Sequence, residues 1–202
     1  MSVKEILGLL GIIWSSVVCA DYVISVLRHR TKPHAFTWAI WAIIVGIVAI
    51  AQYRQGAGAG SWAASVSAFW CAIIFLLSLF KGEKNITRGD TISLLAGLAI
   101  IPLWRATNNA LIAVTLATLI DASAYYPTVR KSWNKPFEEK IFMYASDNGR
   151  WLFALFATSD FSTTTLLYPI FCLVANNSLA LMIFMRRRVF TTHKLAKTST
   201  EK

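Results

Sequence analysis

Long apolar runs separated by short basic links are the feature that most limits how this chain can fold. The runs are roughly 15–25 residues long, the length that a helix needs to cross a hydrocarbon core of about 30 Å. The chain has 202 residues, of which 56% are hydrophobic and 15% are charged. A soluble domain of this size has no interior large enough for so much apolar side chain. The sequence therefore predicts an all-α membrane protein.

The distribution of Lys and Arg predicts how the chain crosses the membrane. If all the apolar runs cross, sixteen of the 20 basic side chains fall on one side, while Lys4, Arg54 and Arg105 fall on the other and Arg150 stays within the membrane. Cytoplasmic loops are rich in Lys and Arg. We therefore expect the amino terminus outside and the carboxyl terminus in the cytoplasm, in a plasma membrane, the inner membrane of a bacterium. The seven predicted transmembrane helices lie at residues 5–27, 34–53, 61–80, 91–104, 108–129, 138–158 and 163–185.

The two halves of the chain repeat one pattern at a spacing of 103 residues. Repeated membrane hairpins of the same orientation are typical of transporters built by duplication. The pattern predicts two parallel three-helix bundles, at residues 1–83 and 108–185, joined by a linker helix within 84–107 and followed by a cytoplasmic tail at 186–202 without fixed structure. The aligned pairs are Tyr22 and Tyr125, Val26 and Val129, Lys32–Pro33 and Lys135–Pro136, Ala42 and Ala145, and Gly46 and Gly149.

This layout resembles the SWEET and PQ-loop superfamily. The segment at 126–132 reads Tyr-Pro-Thr-Val-Arg-Lys-Ser and is similar to the family's Pro-Gln turn, with Thr128 in place of Gln. Asn176 and Asn177 resemble the substrate-facing Asn of the family. The resemblance implies a carrier or facilitator of small solutes that works by alternating access between two bundles. A SWEET-like sorting or cargo receptor without transport activity is the alternative.

Charged and polar side chains inside the predicted spans are the candidates for a solute site. Each costs a few kcal/mol in a bilayer unless it meets a partner or water. Asp147 and Arg150 are three residues apart, so they share a helix face and can neutralise each other. The same side chains could instead serve only to fix helix packing. The predicted solute-binding residues are Asp121, Tyr125, Asp147, Arg150, Asn176 and Asn177, with Trp41 and Trp151 as rings that could stack on a solute.

Other functions are disfavoured by the placement of charges and cysteines. The net charge of +10 comes from basic residues at the ends of apolar runs, which argues against nucleic-acid binding. Cys19, Cys71 and Cys172 lie inside apolar runs and are expected to be buried small side chains, without a disulfide. No catalytic, metal-binding or cofactor motif is recognisable, so we expect no enzyme. The expected partners are the lipid bilayer and an unidentified small solute, with a homo-oligomer left open.

Overall fold

The computed structural model describes residues 1–200, with side chains for all of them except 100, 104 and 193–200. The described chain is helical and contains no strand. Residues 201 and 202, the end of the predicted tail, lie outside the described part. The α-helices are α1 (Val3–Leu27), α2 (Ala35–Arg54), α3 (Trp62–Lys81), α4 (Arg88–Leu98), α5 (Ile100–Thr107), α6 (Ala110–Asn134), α7 (Ile141–Ala157) and α8 (Thr163–Thr200).

Five of the seven predicted spans are long and apolar enough to cross a membrane by length and composition. They are α1, α2, residues 58–81, α6 and the first part of α8. α7 has only 17 residues and carries Asp147 and Arg150. The predicted fourth span is two helices, α4 of 11 residues and α5 of 8 residues. The five long helices are those of an integral membrane protein.

The break between α4 and α5 follows from Pro102. Proline has no N–H to donate to the carbonyl four residues earlier, here that of Leu98, and its ring collides with that carbonyl. α4 therefore ends at Leu98 and the chain bends at Ala99 before α5 begins. The start of α4 is fixed by a capping box, in which the Thr87 hydroxyl accepts from the Asp90 N–H and the Asp90 carboxylate accepts from the Thr87 N–H.

The long helices pack in a recurring order. α3 packs against both α1 and α2, and α8 packs against both α6 and α7. Between these groups, α1 packs on α7 and α2 packs on α6, while α4 lies against both α2 and α6. Gly97 permits the close approach of α4 to α2, since a Cβ on it would lie 2.7 Å from Ile40 Cγ2. Gly149 likewise admits the Trp14 ring of α1, whereas its aligned counterpart Gly46 has room for a Cβ.

Successive passes of the chain run between two ends of the helix assembly. We name the basic end after residues 28–32, 81–88, 130–140 and 186–188, which hold most of the described Lys and Arg side chains. There Lys81 Nζ donates to the Leu27 carbonyl at 3.3 Å, which joins the ends of α3 and α1. At the far end, Gln52 Nε2 donates to the Thr165 carbonyl at 3.2 Å, which joins the end of α2 to the start of α8. α4 begins at the basic end and α5 ends at the far end, where Asn108 and Asn109 share a surface pocket with Arg54.

The expectation of an unstructured tail from residue 186 is wrong over the described chain. α8 continues as one helix to Thr200. Arg186 donates to the Trp133 carbonyl at 3.0 Å, and Arg187 donates to the carbonyls of Pro136 and Glu139 at 2.9 and 2.5 Å. These bonds hold α8 against the link between α6 and α7. They stabilise the helix beyond Met185, the end of the predicted last span.

Candidate functional site

A small cavity lies where the six helices α1, α2, α3, α6, α7 and α8 meet. Its volume is about 30 Å³. A space of this size holds one or two water molecules. Every one of the six helices contributes to the wall, which is formed by Cys19, Trp38, Trp41, Val45, Ser67, Cys71, Asp121, Tyr125, Met143, Tyr144, Asp147, Arg150, Trp151, Tyr168, Cys172 and Asn176.

Most of the predicted solute-binding residues come together around this cavity, and one does not. Asp121, Tyr125, Asp147, Arg150, Asn176, Trp41 and Trp151 all line it. Asn177 is exposed, and its Nδ2 donates to the Leu173 carbonyl of its own helix at 2.7 Å. Adjacent residues of an α-helix point about 100° apart. Because Asn176 faces the cavity, Asn177 points away from it.

The pairing predicted for Asp147 and Arg150 is confirmed. Arg150 Nη2 donates to Asp147 Oδ2 at 2.7 Å, and Arg150 Nε lies 2.7 Å from Oδ1. The pair extends to α8 and α6, because Asn176 Nδ2 donates to Asp147 Oδ2 at 2.9 Å and the Tyr125 hydroxyl donates to Asn176 Oδ1 at 2.8 Å. The guanidinium also sits 4.5 Å from the ring centre of Trp151. The charges of Asp147 and Arg150 therefore neutralise each other within this network.

Asp121 has a different environment. It is 1% exposed, and the donor to its Oδ1 is the indole N–H of Trp41 at 2.5 Å. Cys172 Sγ lies 4.0 Å from Oδ2, and Tyr168 stands beside the carboxyl group. Among the described side chains, no Lys or Arg forms an ion pair with Asp121. The cavity wall thus contains one carboxyl group held by neutral donors alone.

Aromatic rings form much of the remaining wall. The ring centres of Trp38 and Trp41 are 5.0 Å apart, those of Trp41 and Tyr125 are 5.1 Å apart, and those of Trp151 and Tyr168 are 5.4 Å apart. Each of these pairs has an edge-to-face arrangement. On the wall, Trp151 Nε1 is buried without a hydrogen-bond partner, whereas the Trp38 indole N–H and the Tyr144 hydroxyl interact with the Tyr22 hydroxyl. A donor without a partner is costly to bury unless water or a ligand accepts from it.

A buried polar layer closes the cavity toward the basic end. The Tyr22 ring packs on Trp38 at a centroid distance of 5.1 Å, and the Tyr22 hydroxyl donates to Glu139 Oε1 at 2.8 Å. Glu139 is also paired with Lys131, and both side chains are 1% exposed. Lys131 Nζ in addition donates to the Lys32 carbonyl at 2.7 Å. We call Tyr22, Lys131 and Glu139 the basic-end closure, since they connect α1, α6 and the link before α7.

Two further ion pairs, formed by Asp21 and by Arg130, lie near this closure. The sequence places Asp21 near the cytoplasmic end of the first span and suggests Arg28 or Arg130 as its partner. In the structure it pairs with Lys140 at 2.5 Å, because α1 packs on α7. Arg130 instead donates to Asp90 Oδ2 at 2.7 Å.

A second link-to-link pair joins Glu83 and Lys135 at 3.1 Å. Burial alone would raise the pKa of Glu83, but hydrogen bonds from the Asn85 N–H and from Lys135 outweigh it and hold the pKa below its ordinary value. Glu83 is therefore charged at neutral pH, and its pair with Lys135 ties the link after α3 to the link after α6.

Sequence reasoning did not assign the three cysteines and Tyr168 to the site. The cysteines are free and buried, as expected, but all three face the cavity. Tyr168 packs edge-to-face on Trp151 and lies beside Asp121. Their depth within the apolar runs, close to that of Asp121, Asp147 and Asn176, is the signal that could have grouped them. In the described residues, no group of three His, Cys, Asp or Glu could hold a metal ion.

Comparison with known proteins gives no relative for this chain. No protein-family model matches it, and neither a curated protein nor a solved structure matches it. The function is therefore argued from the cavity itself.

Proposed function

We propose that the protein is a small-solute carrier or facilitator of the SWEET-like type. The observation that carries the proposal is the buried, charged cavity where α1, α2, α3, α6, α7 and α8 meet. Transporters built from repeats bind their substrate at such an interface, near the middle of the membrane. A cavity reached by helices of both halves can open to one side or the other when the halves rock.

Helix packing supports a 3+1+3 arrangement of two parallel bundles. The third helix of each proposed bundle, α3 or α8, packs against the first and second helices of that bundle. The contacts between the bundles are also reciprocal. The first helix of one bundle packs on the second helix of the other, as α1 packs on α7 and α6 packs on α2. An approximate two-fold axis between duplicated halves would produce these reciprocal contacts. The broken helix α4–α5 would then be the linker that returns the chain to the far end and lets the second bundle start in the same orientation as the first.

Charge placement supports an orientation with the basic end in the cytoplasm. The Lys-Pro links at residues 32–33 and 135–136 both lie there. Basic loops are retained in the cytoplasm during insertion. The amino terminus would then be outside and the carboxyl terminus inside, in a plasma membrane or the inner membrane of a bacterium.

The small volume of the cavity fits a closed conformation of such a carrier. Sites for drug-sized ligands have volumes of about 300–1,000 Å³, whereas this cavity has about 30 Å³. A solute larger than a few heavy atoms would enter only after the bundles separate at one end. The basic-end closure and the packing at the far end, where Gly60 is tight against Thr158, are the two contacts that such opening would break.

The test is a thermal-stability screen of the purified protein against sugars, nucleosides, vitamins, amino acids and amines. A carrier of small solutes should be stabilised by at least one class, because a ligand that binds only the folded protein raises its stability. Asp121→Asn should keep the protein folded but abolish both that shift and uptake of the same solute into proteoliposomes. Uptake by the variant at the wild-type rate would remove Asp121 from the mechanism.

The alternative, a cargo receptor, is favoured by one feature of the basic end. An open pocket of about 340 Å³ lies there between α1 and α7, and its wall includes four basic side chains, Arg28, Arg30, Lys140 and Arg187, against the two acidic ones of Asp21 and Glu139. This is the shallow charged mouth that a receptor for an acidic peptide would need. In that case Arg28→Gln with Arg30→Gln should abolish peptide binding, whereas Asp121→Asn should leave it unchanged. If the protein is a carrier, Asp121→Asn should abolish solute uptake, whereas Arg28→Gln with Arg30→Gln should leave it unchanged.

A further inference from the structure

The charges that line the cavity do not balance. The Asp, Glu, Lys and Arg side chains on its wall are Asp121, Asp147 and Arg150. Asp147 is neutralised by Arg150 at 2.7 Å. Asp121 has neutral neighbours, so an ionised Asp121 leaves the cavity with one excess negative charge. A carboxylate buried without a cation is costly, and the cost falls when a positive charge enters beside it.

The rings around the cavity favour the same kind of ligand. The wall includes the rings of Trp38, Trp41, Tyr125, Tyr144 and Tyr168, besides Trp151, whose ring already meets the Arg150 guanidinium. The face of an aromatic ring carries partial negative charge and attracts a cation within about 6 Å. Rings grouped with a carboxylate that has no ion-pair partner are an arrangement that can recognise an ammonium group.

Hydrogen bonding makes a neutral sugar a poorer fit. A sugar site needs free donors and acceptors for several hydroxyl groups. Asn176, which resembles the substrate-facing Asn of the SWEET family, already uses its Nδ2 on Asp147 and its Oδ1 on the Tyr125 hydroxyl. Among the neutral groups on the wall, the donor without a partner is Trp151 Nε1. It suits a ligand that carries an acceptor oxygen as well as its positive charge.

We propose that the cavity binds a small organic cation with an ammonium group, such as an amino alcohol, with Asp121 as its counter-ion and the aromatic wall as its cage. This inference rests on the proposed carrier function and names its substrate class. A proton on Asp121 would also cancel the excess charge. The experiment must therefore separate a bound cation from a protonated acid.

The probes are choline and its uncharged analogue 3,3-dimethylbutan-1-ol, which has the same shape and hydroxyl group. Binding to the purified full-length protein is measured by thermal shift and by calorimetry at neutral pH, with methylammonium and glucose alongside. At least one of the two cations should bind, and choline should bind at least about tenfold tighter than its neutral analogue, as expected when an ionic partner is lost. Asp121→Asn should weaken cation binding by a similar factor. Asp21→Asn, the same change on α1 outside the cavity wall, is the matched control and should bind as the wild type does.

Three results would overturn the inference: equal binding of choline and its analogue, binding of glucose instead, or no binding of either cation. Charge preference can also be tested without a variant that must fold. The rates at which cationic and anionic methanethiosulfonates of similar size modify the native cavity cysteines are compared. The rate of each reagent is divided by the rate at which it modifies the unfolded protein. The cationic reagent should react faster, and a faster anionic reagent would contradict the proposal. Reaction with neither reagent would point instead to a failure of the carrier function.

Discussion

Trp41 donates its indole N–H to Asp121 Oδ1 at 2.5 Å and so joins α2 to α6 at the centre of the molecule. The two residues are 80 positions apart in the chain. The contact sits on the cavity wall, between the two proposed bundles. It holds the carboxyl group of Asp121 in place when no ligand is bound.

Replacing Trp41 should reveal the strength of this bond. Trp41→Phe keeps an aromatic ring but removes the N–H, and we expect it to lower the free energy of unfolding by about 2 kcal/mol, because the acceptor is a buried carboxyl group. Trp38→Phe is the matched control, since the Trp38 indole N–H meets the neutral Tyr22 hydroxyl and not a carboxyl group. It should cost clearly less in denaturant unfolding of the purified protein. Equal costs would show that the Trp41–Asp121 bond adds nothing to stability.

The Asp147–Arg150 pair should behave as one unit. Changing either residue alone to Ala leaves a buried charge without its partner and should destabilise the protein by about 3–5 kcal/mol. The double change removes both charges and should recover much of that loss in a double-mutant cycle measured by unfolding. If the two losses simply add, the pair does not interact as the 2.7 Å contacts require.

The basic-end closure should control access to the cavity. Glu139→Gln removes the charge that holds Lys131 and weakens the acceptor of the Tyr22 hydroxyl, so the cavity should open toward the basic end more often. We expect a water-soluble thiol reagent applied from that side to modify the cavity cysteines at least about tenfold faster, which corresponds to a shift of 1.4 kcal/mol. The control is Glu138→Gln, whose pair with Lys32 is exposed and is worth little. An unchanged rate in Glu139→Gln would mean that the ion pair is not part of a gate.

The path of α4 and α5 makes a prediction about topology. Both helices together run from the basic end to the far end, so reporter fusions after Lys84 and after Lys140 should both be cytoplasmic. A fusion after Gly58 should be external. If the linker does not cross the membrane, the fusions after Lys84 and Lys140 will report opposite sides, and the parallel arrangement of bundles will be refuted.

The depth of residues along their helices was predictable from the sequence, but their direction was not. Asp121, Asp147 and Asn176 lie near the middle of their runs, and a rise of 1.5 Å per residue places them at one level. Which side of a helix faces inward depends on its neighbours, and the uniformly apolar runs give no amphipathic pattern to reveal it. Asn176 and Asn177 therefore looked equivalent, although one lines the cavity and the other is exposed.

Ion-pair partners were predictable only within a helix. The Asp147–Arg150 pair follows from a spacing of three residues on one helix. The partner of Asp21 could not be found in this way, because Lys140 belongs to the link before α7 and meets Asp21 only through the packing of α1 on α7. The break at Ala99 had a local signal in Pro102, but the length of α4–α5 depended on the capping box at Thr87 as well.

The native cysteines allow the most direct test of the central claim, that the cavity opens to water on each side of the membrane in turn. The chain has three cysteines, Cys19, Cys71 and Cys172, and all of them line the cavity. A membrane-impermeant methanethiosulfonate is applied to right-side-out and to inside-out vesicles, with a variant in which all three are Ser as the background. Alternating access predicts modification from both sides, at rates that a bound solute lowers. Full modification after unfolding, with none from either side of the folded protein, would contradict it and leave the cavity as a closed packing core.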